Sequence, residues 1–206
     1  MSVVIEQGVV AQTCRYMFYD CSNLASVDLS GLDTSTVSNM QSMFAYCKNL
    51  TSIDLTNFDT SAVTTMYNMF YACSTLKAMY VSKSFSTNAV TSSDEMFYNC
   101  KALVGGVGTK YSDDATDISR AHVDRGTNDP GYFTAMHTAD EGDINNNGVL
   151  NIVDAQVVYD IATTDIYKAR EDYAAMYAAA DFNWDGAVDA SDALAIQYAA
   201  LRGWES

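Results

Sequence analysis

The chain has 206 residues, 49% hydrophobic and 12% aromatic, with a formal net charge of −15 from 11 Lys+Arg against 26 Asp+Glu. That apolar content builds a core and excludes wholesale disorder, and the acidity has the wrong sign for a nucleic-acid backbone or an anionic membrane surface. No apolar run approaches the roughly 18 residues of a membrane-spanning helix, and Met1–Glu6 has neither the basic nor the apolar region of a signal peptide.

The charge is uneven. Residues 140–206 hold 13 of the acids but only three of the bases, together with both tryptophans, Trp184 and Trp204. All five cysteines lie between Cys14 and Cys100. Two modules of different chemistry are expected, over 1–136 and 137–206.

The first module is a repeat. Met17-Phe18-Tyr19-Asp20-Cys21 returns as Met43-Phe44-Ala45-Tyr46-Cys47, Met69-Phe70-Tyr71-Ala72-Cys73 and Met96-Phe97-Tyr98-Asn99-Cys100, at steps of 26, 26 and 27 residues. Between the blocks, Leu24, Val27, Leu29 and Leu32 align with Leu50, Ile53, Leu55 and Phe58, then with Leu76, Met79, Val81 and Phe85. Val27-Asp28-Leu29 alternates as a half-buried strand does. Asp33-Thr34-Ser35 and Asp59-Thr60-Ser61 are turn and N-cap material. Val37, Met40, Met43, Phe44 and Cys47 then recur three or four apart, which predicts a short helical face. A unit of this size cannot bury its apolar face alone, so stacked units are expected to form a solenoid.

These repeats resemble the BspA-like leucine-rich repeats of bacterial surface proteins, over roughly residues 10–134. The stretch from Gly105-Gly106 to Phe133-Thr134 is similar to that family's C-terminal cap. The resemblance implies an α/β leucine-rich-repeat solenoid.

Cys21, Cys47, Cys73 and Cys100 share one column, and Cys14 fills an apolar column of an incomplete first unit. With no C-x-x-C pairing, buried free thiols are favoured over a metal site or a disulfide ladder. The chain has two histidines, His122 and His137, both beyond the repeats. Nothing places a base beside a nucleophile, so no catalytic residue is expected. Ser26, Asp28, Ser52, Asp54, Ala78 and Tyr80 point outward, as a binding face or as ordinary solvated positions.

The second module carries two twelve-residue runs, Asp143–Asp154 and Asp181–Asp192. Each places oxygen side chains at alternate positions around a glycine, the pattern that holds Ca²⁺, a hard ion wanting six to eight oxygens. In the first, the ligands are Asp143, Asn145, Asn147, the Val149 carbonyl, Asn151 and Asp154. In the second, they are Asp181, Asn183, Asp185, the Ala187 carbonyl, Asp189 and Asp192. Gly148 and Gly186 occupy the sixth position, where the chain turns sharply. Two calcium ions are therefore expected. Position twelve is Asp rather than Glu, and no apolar helix enters the first loop, which disfavours a calmodulin-like pair. Each loop instead runs into a helix, near 152–162 and 190–201, with a third helix predicted near 167–179.

This duplicated loop–helix arrangement resembles a dockerin, over residues 142–203. The resemblance implies a small all-α module with two EF-hand-like calcium loops that docks onto a cohesin of a scaffold protein, as in cellulosomes. Carried over by position, the cohesin-facing residues are Ile152, Val153, Gln156, Tyr159 and Asp160, with Ala190, Ser191, Leu194, Gln197 and Tyr198. Ile-Val in one loop and Ala-Ser in the other break the two-fold symmetry, so one docking orientation is expected. The chain thus reads as a secreted, non-catalytic protein of fibre-degrading assemblies. Its repeat module would serve protein recognition, adhesion or spacing, with a possible second protein or cell-surface ligand. The alternatives are a calcium-binding surface adhesin without a cohesin partner, and a dockerin-borne hydrolase.

Overall fold

In the computed structural model the described residues are 1–136, 144, 152–164, 168 and 180–202, with side chains described as far as residue 197. The chain divides into two compact units, Met1–Met136 and His137–Ser206.

In the first unit, equivalent residues of successive repeats lie side by side. Strand β1 (Ser2–Val4) pairs in parallel with β3 (Ser26–Asp28), and β2 (Val9–Val10) pairs with β4 (Leu32–Asp33). Strands β5 (Ser52–Leu55), β6 (Ala78–Val81) and β7 (Thr134–Ala135) form one three-stranded parallel sheet, with Ile53 opposite Met79 and Val81 opposite Ala135.

The Met-Phe blocks are not helical. Each holds two residues in the left-handed region: Tyr16 and Asp20, Ser42 and Tyr46, Asn68 and Ala72, Glu95 and Asn99, with φ between 53° and 65°. A right-handed helix cannot pass through such residues. The backbone instead alternates two kinds of hydrogen bond. Met43 N donates to Met40 O (3.2 Å) and Ala45 N to Ser42 O (3.3 Å), closing turns within the block. Ser42 N donates to Tyr67 O (2.9 Å), Phe44 N to Met69 O (2.9 Å) and Tyr46 N to Tyr71 O (2.8 Å), reaching the next block. The short apolar spacing therefore marks inward-facing turn residues. Val37, Met40, Met43, Phe44 and Cys47 are all fully buried.

This corrects the expected α/β leucine-rich-repeat solenoid. Strands of two to four residues sit in three small separate sheets, and the first unit holds no α-helix among the described residues. Its nearest approach is a single 3₁₀ turn, Ile118–Arg120, capped by Asp117, whose carboxylate accepts from Ser119 N.

Two side-chain columns run through the core. Phe18, Phe44, Phe70 and Phe97 stack with centroids 5.3, 5.6 and 5.9 Å apart and interplanar angles of 9°, 2° and 1°. Tyr132 closes the column edge-on to Phe97, at 5.2 Å and 88°. Beside it, Cys47 Sγ donates to Phe18 O (3.2 Å), Cys73 Sγ to Phe44 O and Cys100 Sγ to Phe70 O (both 3.0 Å). All five cysteines are free thiols. Burial pushes the Cys14 thiol up to about 11 and those of Cys47 and Cys100 up to about 12.

The end of the first unit is organised by Asp124, only 4% exposed. Its Oδ2 accepts from Val107 N (3.1 Å) and Thr109 N (2.9 Å). Its Oδ1 accepts from Thr109 Oγ1 (2.6 Å), Gly126 N (3.0 Å) and, at 3.4 Å, Gly131 N. Burial pushes this carboxyl up, but these hydrogen bonds outweigh it and hold it below the usual carboxylate range. A side chain at Gly105 would run into Gly131 O and the Asp124 carboxylate, so only glycine admits this close approach.

In the second unit, helices α1 (Ile152–Thr163) and α2 (Ala190–Arg202) share a core of Ile144, Val158, Ile161, Phe182 and Ile196. These agree with two of the expected helices. The third, near 167–179, lies outside the described residues apart from Lys168. No described helix is long and apolar enough to cross a membrane.

Candidate functional site

The loop 181–192 is described in full. It folds around its own oxygens. Asp181 accepts from Asp185 N at Oδ1 (3.0 Å) and from Gly186 N at Oδ2 (3.1 Å). Asn183 Oδ1 accepts from Asp185 N, and Asp185 Oδ1 from Ala187 N (both 2.9 Å). Gly186 takes φ 85° and Trp184 φ 60°, which lets the chain reverse tightly enough to turn alternate side chains to one side.

The loop ends in a reciprocal helix cap. Asp189 Oδ1 accepts from Ser191 N (2.7 Å), while Asp192 Oδ2 reaches back to accept from Asp189 N (2.9 Å). The Asp192 contact is the return half of a capping box, while Asp189 caps the second amide of the helix rather than the third. Asp192 Oδ1 also accepts from Asn183 N (2.9 Å), so one fully buried carboxylate ties the start of the loop to the start of α2.

The electrostatics are those of an uncompensated acidic nest. Burial pushes the Asp192 carboxyl up to about 6, against the two amide hydrogen bonds, and the charges of Asp181 and Asp185 push the same way. Asp189, at the outer edge, is held below its ordinary range by Ser191. A cation among these groups would reverse the repulsion. Among the described residues, no three His, Cys, Asp or Glu side chains gather into a cage by themselves. The donor set instead mixes carboxylates with Asn183 and the Ala187 carbonyl, all hard oxygens, which fits Ca²⁺.

Of the first loop, Asp143, Asn145, Asn147, Val149 and Asn151 lie outside the described residues. Asp154 is fully buried at the start of α1, as Asp192 is at the start of α2. Ile144 and Phe182, each second in its loop, are both buried.

The helices present apolar side chains to solvent. Ile152, Val153, Tyr159 and Leu194 are 48–59% exposed. Gln156, Ala190 and Ser191 are exposed and Gln197 half-buried; Asp160 is half-buried and accepts from Gln156 Nε2 (2.8 Å). The side chain of Tyr198 lies outside those described.

Residues 11–124 match the model of a family described as Mycoplasma protein of unknown function, DUF285. The chain belongs to the DUF285 family. In this DUF285 chain a second match follows, to the dockerin type I domain, over residues 141–199. A type I dockerin is a calcium-binding module whose partner is a cohesin. No curated protein and no solved structure matches the chain.

Along the DUF285 repeats, the outward-facing Ser26, Asp28, Ser52 and Asp54 are exposed, and Ala78 and Tyr80 half-buried. Asp28 and Asp54 close local turns, accepting from Ser30 N and Thr56 N (both 2.9 Å). Sequence reasoning reached the aspartates of 181–192 but missed the two-ended grip of Asp192. The signal was present: Asp189 and Asp192 stand three apart immediately before an apolar run, as in a capping box.

Proposed function

We propose that this chain is a non-catalytic, calcium-dependent docking protein that attaches its DUF285 repeats to a cohesin-bearing scaffold outside the cell. Asp181, Asn183, Asp185, the Ala187 carbonyl, Asp189 and Asp192 hold one calcium ion. Asp143, Asn145, Asn147, the Val149 carbonyl, Asn151 and Asp154 hold a second. When bound, the ions neutralise the loop carboxylates and so fix the starts of α1 and α2.

The observation that carries this reading is the buried Asp192 in the first turn of α2, which accepts at one oxygen from Asn183 N near the loop's start and at the other from Asp189 N at the loop's end. Loop occupancy and helix placement are thereby one event. The placed helices present Ile152, Val153, Tyr159 and Leu194 as an apolar contact surface, with Gln156, Asp160, Ala190, Ser191, Gln197 and Tyr198 as its polar and small surround. Such a surface on two helices suits a preformed partner.

A non-catalytic role is supported by the setting of His122. Its Nε2 lies 3.0 Å from Asp129 Oδ1, and Arg125 Nη1 takes the other oxygen at 2.6 Å. That arrangement ties the end of the repeat unit together and leaves both Asp129 oxygens engaged, one by His122 and one by Arg125.

Capture of the full chain on a panel of immobilised cohesins, in calcium and in chelator, tests the reading. Calcium-dependent retention by at least one cohesin is expected. Retention by none removes the docking function and leaves a calcium-binding adhesin. Hydrolysis of polysaccharide or peptide substrates by the purified chain would select the enzyme reading instead.

A further inference from the structure

The turn blocks of the first unit carry an irregularity that their stacking does not require. The left-handed position after each Met-Phe pair holds Asp20, Ala72 and Asn99 in three blocks, an aspartate and an asparagine that tolerate that conformation and a small alanine. The second block places Tyr46 there, at φ 65°, and the equivalent position before the first methionine holds Tyr16 at φ 58°. A bulky aromatic in this region is strained, and strain of this kind persists where something else uses it.

The use is visible in the neighbouring column. Three blocks read Phe18-Tyr19, Phe70-Tyr71 and Phe97-Tyr98, but the second reads Phe44-Ala45-Tyr46. Tyrosine and the small residue have changed places. The Tyr46 ring takes the column place between Tyr19 and Tyr71, and a notch of about 400 Å³ opens beside it, lined in part by the buried Ala45 and Ser42. Tyr16, Tyr19, Tyr46 and Tyr67 wall it, and the amides of Gln41 and Asn68 edge it.

We propose that this notch binds a neutral glycan, holding one pyranose ring among the tyrosines. A pyranose has C–H faces that lie against aromatic rings and an edge of hydroxyls that both donate and accept. The notch offers the same pairing: ring surfaces on its walls, with Tyr16 and Tyr19 45% and 48% exposed, and amide and hydroxyl groups between them. Asn68 Oδ1 is buried with no hydrogen-bond partner, an acceptor that a turned amide offers to a sugar hydroxyl. No acid or base lines the notch. The nearby cations are engaged with its rings: Arg15 lies 4.8 Å from the Tyr16 centroid and Lys48 5.8 Å from that of Tyr46. From the notch the aromatic surface continues along Tyr19, Tyr46, Tyr71 and Tyr98, with centroids 5.6, 5.3 and 5.0 Å apart. That strip runs on past the anchored ring, so a chain fits it better than a free monosaccharide. The site lies on the first unit and does not rest on the docking reading.

The test is affinity electrophoresis of the full chain through gels containing xyloglucan, galactomannan, mixed-linkage β-glucan or pullulan, followed by calorimetry with the matching oligosaccharide. The double variant Ala45→Tyr with Tyr46→Ala gives the second block the Tyr71-Ala72 order of the third. It takes away the Tyr46 wall and is expected to weaken binding at least about tenfold while the urea midpoint of the first unit stays near the parent's, since the third block already carries alanine at this position at φ 58°. Gln41→Ala, which removes a half-buried amide whose Nε2 donates to the Tyr16 hydroxyl (3.4 Å), is expected to weaken binding about threefold or more. Failure of all four polysaccharides to retard the parent chain would overturn the proposal, as would undiminished binding by the double variant. Binding of decaproline with no glycan bound would reassign the notch to peptides and overturn it too.

Discussion

Replacement of Asp124 by Asn changes one atom of the carboxylate and little of its volume. Each carboxylate oxygen accepts two hydrogen bonds of 3.1 Å or less: Val107 N and Thr109 N on one, Thr109 Oγ1 and Gly126 N on the other. With the NH₂ in place of Oδ2, Val107 N and Thr109 N face a donor; with it in place of Oδ1, the Thr109 hydroxyl turns to accept but Gly126 N faces a donor, and in both cases the charge that strengthened the remaining bonds is lost. At about 1–3 kcal/mol for each stranded buried donor, partly relieved by relaxation, the loss is about 2–4 kcal/mol. Urea unfolding of the full chain reads it directly. Both tryptophans, Trp184 and Trp204, belong to the second unit. Tryptophan fluorescence and the helical far-UV circular dichroism are therefore internal controls, and tyrosine emission, with nine of the 14 tyrosines in the first unit, reports chiefly that unit. The variant is expected to lower the midpoint of the first unit alone. The sign with pH follows from the depressed carboxyl. A group whose folded value lies below its unfolded value of about 3.9 adds stability above that pH and loses it as pH falls through the folded value. The gap between parent and variant should therefore narrow in acid. An Asn variant within 0.5 kcal/mol of the parent at neutral pH, or an equal shift of both units, would refute the reasoning.

Native-state thiol labelling near neutral pH should modify Cys21, which is half-buried, and leave Cys14, Cys47, Cys73 and Cys100 unreacted until urea is added; prompt reaction of Cys73 would contradict the buried column. The second calcium loop offers four carboxylates to the first loop's two, so calorimetry of single-loop knockouts should find the second site tighter; a tighter first site would oppose this. Paired substitutions at Ile152/Val153, two side chains more than half exposed, should cost more cohesin affinity than the pair Ala190/Ser191; equal losses would indicate two equivalent orientations.

Much of the first unit was legible because stacking repeats its demands. A residue facing inward in one block faces inward in the next, so the Met, Phe and Cys columns and the parallel register follow from 26-residue spacing. What the spacing could not separate was a helix from a chain of tight turns. Both place apolar residues three or four apart. The deciding feature, a left-handed residue on either side of each Met-Phe pair, is carried here by Tyr, Ser, Asn, Asp, Ala and Glu, with no glycine to mark it. Asp124 was invisible for another reason: its partners at Val107, Thr109 and Gly126 come together only once the end of the repeat folds. The loop 181–192 was easier, because calcium ligation is local and its oxygens must alternate along twelve residues.

The central claim is that calcium held by the aspartate loops positions the helices that dock. With a captured cohesin in hand, the affinity of the full chain and of Asp192→Ala should be measured by calorimetry at saturating calcium and in chelator. The parent chain is predicted to bind in calcium and lose at least about a hundredfold in chelator, with Asp192→Ala weakened in calcium to near the chelated level. Equal affinity of the parent with and without calcium, or an Asp192→Ala chain that binds as tightly as the parent, would contradict the account.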